Sequence, residues 1–176
     1  MARHILAGGK VVWIRRAGPH NPAWRYWLMG MLAKLLHAKV LTPVPNLGGP
    51  AAIAIETARL NELSAAGIYV PKLLARQANA LMISNIPGSN LLERIKQEAI
   101  RHDLSSWHAG LLAISHVHAK RQFLSQAFAR NMVIQGRRVG FIDFEDNPAA
   151  ALDIIQCQSR DWLCYLQSTL LILQRQ

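Results

Sequence analysis

Asn131-Met132-Val133-Ile134-Gln135-Gly136-Arg137-Arg138-Val139-Gly140-Phe141-Ile142-Asp143-Phe144-Glu145 is the stretch on which the fold turns. Two short runs rich in β-branched and aromatic residues flank a polar turn at Gln135-Gly136-Arg137-Arg138, which predicts a hairpin. Antiparallel pairing about that turn brings Asn131, just before the first strand, close to Asp143, just after the second. An amide oxygen and a carboxylate then converge, a pair that a hard divalent cation accepts when water and phosphate oxygens complete its shell. The same two residues also read as turn caps, as Asn and Asp do at many strand ends.

Upstream, His4-Ile5-Leu6, a turn at Ala7-Gly8-Gly9 and the run Lys10 to Arg16 predict a first hairpin. Residues 24–36 carry Trp24, Trp27, Leu28, Met31, Leu32 and Leu35 at helical spacing, for packing on the upper part of the fold or for lying in a membrane interface. A helix over 51–66 ends at Gly67, and a strand follows over 80–83. Past Pro87-Gly88 two helices are expected, over 91–101 and 103–119. The second has Asp103 as its N-cap and Leu111, Leu112, Ile114 and Val117 on its buried side. A last helix covers 149–173, and no internal repeat or low-complexity tract interrupts the chain.

The 176 residues are 51% apolar, enough for one domain with a core, which excludes a disordered tail or a coiled coil. Twenty Lys and Arg against ten Asp and Glu give a net charge of +10, which draws the chain towards phosphate on a nucleotide, an RNA or an anionic lipid surface. The apolar stretch at 24–36 is interrupted by Arg25 and Lys34 and is too short to span a bilayer, and residues 1–4 lack a secretory core; a cytoplasmic protein is expected. Cys157 and Cys164 lie about 10 Å apart along one expected helix, too far for a disulfide. His102, His108, His116 and His118 fall among apolar positions taken as core-facing, show no metal-ligand spacing and are given no chemistry.

In order along the chain, these features resemble the protein-kinase-like superfamily. Asn131, the hairpin and Asp143-Phe144-Glu145 look like the catalytic-loop Asn, the strands after it and the Asp-Phe-Gly segment. Val11-Val12-Trp13-Ile14-Arg15 resembles the strand whose usual Lys contacts nucleotide phosphates, and Glu56 looks like the helix Glu that pairs with it. Residues 83–91, with Asn85, look like a hinge, and Asp161-Trp162 is similar to the pair that braces the catalytic loop. More narrowly, Val70-Pro71 and the closing residues 141–148 look like bacterial lipopolysaccharide core kinases and other minimal atypical kinases.

The resemblance implies an α+β, reduced two-lobed kinase-like fold forming a single domain over 1–176, with an N-lobe at 1–83, a hinge at 84–90 and a C-lobe at 91–176. It implies ATP and Mg²⁺ as cofactors, with Asn131 and Asp143 as metal ligands and Arg15, Glu56 and Asn85 as nucleotide-binding residues. The γ-phosphoryl then moves to a hydroxyl acceptor such as a lipopolysaccharide-core sugar or another small molecule. The departures are specific. Gln126 stands at the catalytic Asp position, so a carboxylate base has to come from Glu145 or Asp146; Arg15 replaces the Lys; and Ala7-Gly8-Gly9 poorly matches a glycine-rich phosphate loop. The alternative from another class is a catalytically lapsed, pseudokinase-type binding module whose basic surface meets a partner or an anionic membrane, peripheral to the inner membrane. Nucleic acid is disfavoured, since no RNA-binding motif accompanies the charge.

Overall fold

Successive residues of a strand face opposite sides of its sheet, so the register of Val11–Arg16 decides where Arg15 goes. The computed structural model describes residues 1–18, 44 and 48–174, and the chain is α+β, with four α-helices among the described residues. It divides into two compact units: Met1–Asn85 with Phe144–Leu152, and Ile86–Asp143 with Asp153–Gln176. Residues 144–152, read from sequence as part of the C-lobe, thus group with the first unit.

The first unit contains strands β1 (Ala2–Ile5), β2 (Val11–Arg16), β3 (Leu73–Gln77) and β4 (Ala80–Ser84) and helix α1 (Gly49–Ala65). The strands form one antiparallel sheet in the order β1-β2-β4-β3, and α1 packs on β3 and β4. Trp13 pairs with Ile83 and Arg15 with Leu81, so these four share a face, while Val12 and Ile14 share the other with Ser84 and Met82. Helix α1 buries Ala52, Ile53, Glu56, Thr57, Arg59, Leu60 and Leu63, a stripe at helical spacing that includes two charged residues. It stops where Gly67 takes φ +71°: the Gly67 amide donates to the Ser64 carbonyl and the Ile68 amide to the Leu63 carbonyl, both at 2.9 Å. That is the paired-bond C-terminus in which glycine avoids the left-handed penalty.

The second unit holds β5 (Ser89–Asn90), β6 (Met132–Gln135) and β7 (Arg138–Phe141) in one antiparallel sheet, with helices α2 (Leu91–Ala99), α3 (Ser105–Ala119) and α4 (Ile154–Gln174). The Asn90 side chain accepts from the Leu92 and Glu93 amides, capping α2, and donates to the Arg130 carbonyl at 2.7 Å. Helices α3 and α4 meet where Gly110 faces the buried ring of Tyr165, whose hydroxyl donates to the Trp107 carbonyl at 2.8 Å. Burial pushes the Tyr165 phenol up, keeping it a neutral donor. A Cβ at position 110 meets the Tyr165 hydroxyl oxygen, so Gly110→Ala is expected to destabilise the protein by about 2 kcal/mol. A urea midpoint equal to wild type would remove this contact from the account.

Several elements differ from the sequence reading. The helix expected over 24–36 lies outside the described residues. Strand β3 is additional, and α3 begins after Leu104 rather than Asp103. Asp103 instead accepts from the Ser105 amide and hydroxyl, which hold its carboxyl below the ordinary value. The Ser106 amide donates to Glu98 at 2.9 Å. Burial pushes the Glu98 carboxyl up, but Arg94 and Ser106 outweigh it and hold it low; this small stabilisation is present above the unfolded pKa and lost as pH falls through the folded one.

Leu112 is 71% exposed, because the buried line of α3 runs through Ser106, Gly110, Ile114 and Val117, and position 112 sits two residues, about 200°, from Ile114. His102, His108 and His116 are exposed rather than core-facing. The last helix starts at Ile154, not at 149: Pro148–Ala150 is a short 3-10 turn, and Asp153 and Gln156 cap each other's amides. Both cysteines are buried, and neither is in a disulfide among the described residues. No helix among the described residues is long and apolar enough to cross a membrane.

Candidate functional site

Arg15 leaves β2 on the face shared with Leu81 and Ile83 and meets Glu56 of α1, 2.9 Å from its Nη1. Glu56 is 1% exposed, on the buried stripe of its helix. The second terminal nitrogen of Arg15, Nη2, lies 2.5 Å from Glu145, whose side chain is 30% exposed. A planar guanidinium is suited to this division, because its two ends reach separate carboxylates at once. Glu145, expected as a stand-in base, is therefore held in an ion pair.

In the second unit, residues 124–131 are tied down from several directions. The Leu124 amide donates to Asp161 Oδ2 at 2.8 Å, and His118 Nε2 lies 3.0 Å from the same oxygen. The His118 ring stands edge-on to Trp162, its centroid 5.2 Å away. The Gln126 amide donates to the Leu124 carbonyl at 2.7 Å across Ser125, which has φ +68°. This two-residue span with a positive central φ is a tight γ-turn, strained for a residue with a side chain. The Ser125 hydroxyl is buried with no hydrogen-bond partner among the described residues. Gln126, half-buried, follows this strained turn.

Asp161 is 1% exposed and carries the brace expected of it, so Asp161→Ala removes the acceptor that serves both Leu124 and His118. The expected loss is about 2 kcal/mol. Urea unfolding measures it, and an unchanged midpoint would show that the loop holds without the brace.

Asn131 closes a 3-10 turn, Ala129–Asn131, and its carbonyl accepts from the Ile142 amide at 2.9 Å, extending the β6–β7 ladder by one step. The register therefore places Asn131 opposite Ile142, with Asp143 the next residue along. Asp143 has φ +74°, so the chain leaves the strand there and the alternation of faces stops. The Asn131 amide nitrogen donates to the Gln126 carbonyl at 3.2 Å, which leaves its side-chain oxygen to accept a cation. Among the described residues no cluster of three or more His, Cys, Asp or Glu forms a metal cage. A hard cation held here would need water or phosphate oxygens to complete its shell.

Asn85 is engaged within the first unit: its side-chain oxygen accepts from the Trp13 indole at 2.8 Å, and its amide reaches the Val11 carbonyl. A groove of about 650 Å³ on the second unit, near Arg94, Leu112 and Arg137, includes none of the catalytic, nucleotide-binding or metal-binding candidates named from sequence. No protein-family model matches the chain, and no curated protein matches it in sequence.

Sequence reasoning missed three features. The Glu145–Arg15 contact joins residues 130 positions apart and has no periodic signature. His118 was passed over with the other histidines, although Asp161, already singled out, was available as its partner. The Ser125 turn has no glycine or asparagine to announce a positive φ.

Proposed function

We propose that the chain is a kinase-like phosphotransferase that moves the γ-phosphoryl of ATP to a hydroxyl acceptor. The observation that carries this reading is the Arg15–Glu56 pair, a strand cation fixed by a helix carboxylate that is itself buried. A guanidinium held in this way is pre-oriented for phosphate. Strain at Ser125 and Asp143 supports the same reading, since backbone outliers persist where the surrounding structure over-determines them, often at functional sites.

In the proposed reaction the bond from the γ-phosphorus to the β,γ-bridging oxygen breaks, a bond to the acceptor oxygen forms, ADP leaves and the acceptor proton passes to solvent. Asn131 and Asp143 would hold Mg²⁺, which would supply neutralisation of phosphate charge. Arg15 binds phosphate, and Glu56 keeps it in place. Gln126 cannot take a proton as a carboxylate does, so positioning rather than base catalysis carries the rate. A lipopolysaccharide-core sugar is the acceptor that the family resemblance implies, with a cytoplasmic reaction at the inner-membrane periphery.

Thermal unfolding with ATP and Mg²⁺ tests the reading: a ligand that binds the native state raises the melting temperature by mass action. No shift at millimolar nucleotide, with no heat of binding on titration, would discard it. Gln126 specifically favours a second reading, a binding module without turnover that meets anionic membrane through its net +10 charge. Under that reading ATP has no effect, and the protein sediments with phosphatidylglycerol vesicles in a salt-sensitive manner.

A further inference from the structure

We infer that the groove between α2, α3 and the tip of the β6–β7 hairpin is a docking site for a short acidic segment of a partner protein, one that carries an apolar anchor among its carboxylates. The groove lies wholly within the second unit. Asn131 and Asp143 stand at the open end of the hairpin and the groove at its turn, roughly 13 Å along the strand from Asn131 to Gln135. The surface is thus separate from the residues given to phosphoryl transfer, and its occupant does not depend on that role.

Hydrogen-bonding capacity selects the partner. Glu98 is the one carboxylate among the lining residues, and both its oxygens are engaged: one accepts from Arg94 Nε at 2.8 Å, the other from the Ser106 amide at 2.9 Å. The lining therefore holds no carboxylate in reserve for a partner's lysine or arginine. Its donors, in contrast, are available. Arg137 is exposed, and its guanidinium makes no hydrogen bond or ion pair with any described residue. A two-residue turn, Gly136-Arg137, in which Gly136 supplies φ +59°, fixes it at the hairpin tip. His108 and His116 are exposed on one face of α3, about 12 Å apart along its axis, and each imidazole carries at least one ring N–H donor. A surface with donors to spare and no free carboxylate is complementary to an anion rich in acceptors.

Apolar contacts then separate an acidic peptide from other anions. Ala109, Leu112 and Ala113 line the groove between the two histidines, and Leu112 is 71% exposed, so its apolar surface stays in water until something covers it. A nucleic acid gains little there, because the lining holds no tryptophan, tyrosine or phenylalanine on which a base could stack. A flat bilayer surface does not fill a concavity of about 650 Å³. An extended chain spans the distance between the histidines with about four residues and sets a side chain on Leu112.

In the test, short random peptides displayed on phage are selected on the immobilised full chain. Enriched peptides are then titrated by fluorescence anisotropy against wild type, Arg137→Glu, Leu112→Gln and Arg3→Glu. The last makes the same charge change on exposed β1 of the other unit, and glutamine at 112 matches the helix preference of leucine without its apolar surface. All three positions are exposed, and circular dichroism with urea midpoints verifies the folding of each variant. Peptides that combine Asp or Glu with Leu, Ile or Phe are expected, with affinity about tenfold weaker for Arg137→Glu and for Leu112→Gln and unchanged for Arg3→Glu. Equal losses in Arg3→Glu and Arg137→Glu, or none in Leu112→Gln, reduce the binding to diffuse attraction by the net +10 charge and overturn the docking site. Enrichment of basic or uncharged peptides overturns it as well. So does a failure to enrich any peptide, and oligouridylate binding lost in Arg137→Glu would then assign the surface to single-stranded RNA.

Discussion

Arg15→Met is expected to lower the unfolding free energy by about 3 kcal/mol, the range found when one partner is removed from a buried ion pair. Glu56 is the reason. Its carboxylate is nearly inaccessible, on a helix face that also buries Ile53, Arg59, Leu60 and Leu63, and it accepts from Arg15. Methionine fills much of the arginine stem's volume, so the loss reports charge rather than a cavity. Glu56→Gln in the same chain should restore part of the stability, because it removes the buried carboxylate charge that Arg15 had faced. Arg15→Lys should fall between, since an ammonium keeps the charge but cannot span Glu56 and Glu145 together. Denaturant midpoints at constant slope measure all four proteins. A loss under about 1 kcal/mol for Arg15→Met, on the scale of an exposed pair, would mean that the pair is incidental to the fold.

The parts of this structure that were legible in sequence are those with a period or a breaker. Both hairpins announce themselves through β-branched runs around polar or glycine turns, and α1 through its stripe and Gly67. Strand β3 is not legible, because Leu-Leu-Ala-Arg-Gln has neither β-branched nor aromatic residues and is mostly exposed at a sheet edge; β4 and a register shift define it. The start of α4 was misplaced because Pro148 opens a separate short turn, while the reciprocal Asp153–Gln156 cap was overlooked. Chain order suggested Arg15 and Glu56 as partners by family resemblance; spacing alone does not, since their residues are 41 positions apart. Asn131 and Asp143 were found from a hairpin, but the left-handed backbone at Asp143 is a tertiary consequence that no local pattern encodes.

Asp143→Asn is expected to weaken Mg²⁺-dependent ATP binding by about a hundredfold, equivalent to roughly 2.7 kcal/mol, and to remove turnover with it. The substitution isolates charge. Asp143 holds φ +74°, a conformation that Asn tolerates as readily as Asp, so the amide keeps the backbone and gives up only the anionic oxygen. Asp143→Ala is a poorer probe, because it adds left-handed strain of roughly 1 kcal/mol to the loss of the ligand. An unchanged urea midpoint for Asp143→Asn shows that the fold is intact and that the lost binding is local. Gln126→Asp makes the contrast. It places a carboxylate after the Ser125 turn, where Asn131 holds the backbone carbonyl, and should leave nucleotide affinity alone while turnover stays equal or rises. A loose phosphoryl-transfer transition state depends more on positioning and charge neutralisation than on proton removal. Asp143→Asn with wild-type, Mg²⁺-dependent affinity would take the metal role from Asp143. Loss of affinity in Gln126→Asp would instead place position 126 among the groups that hold the nucleotide.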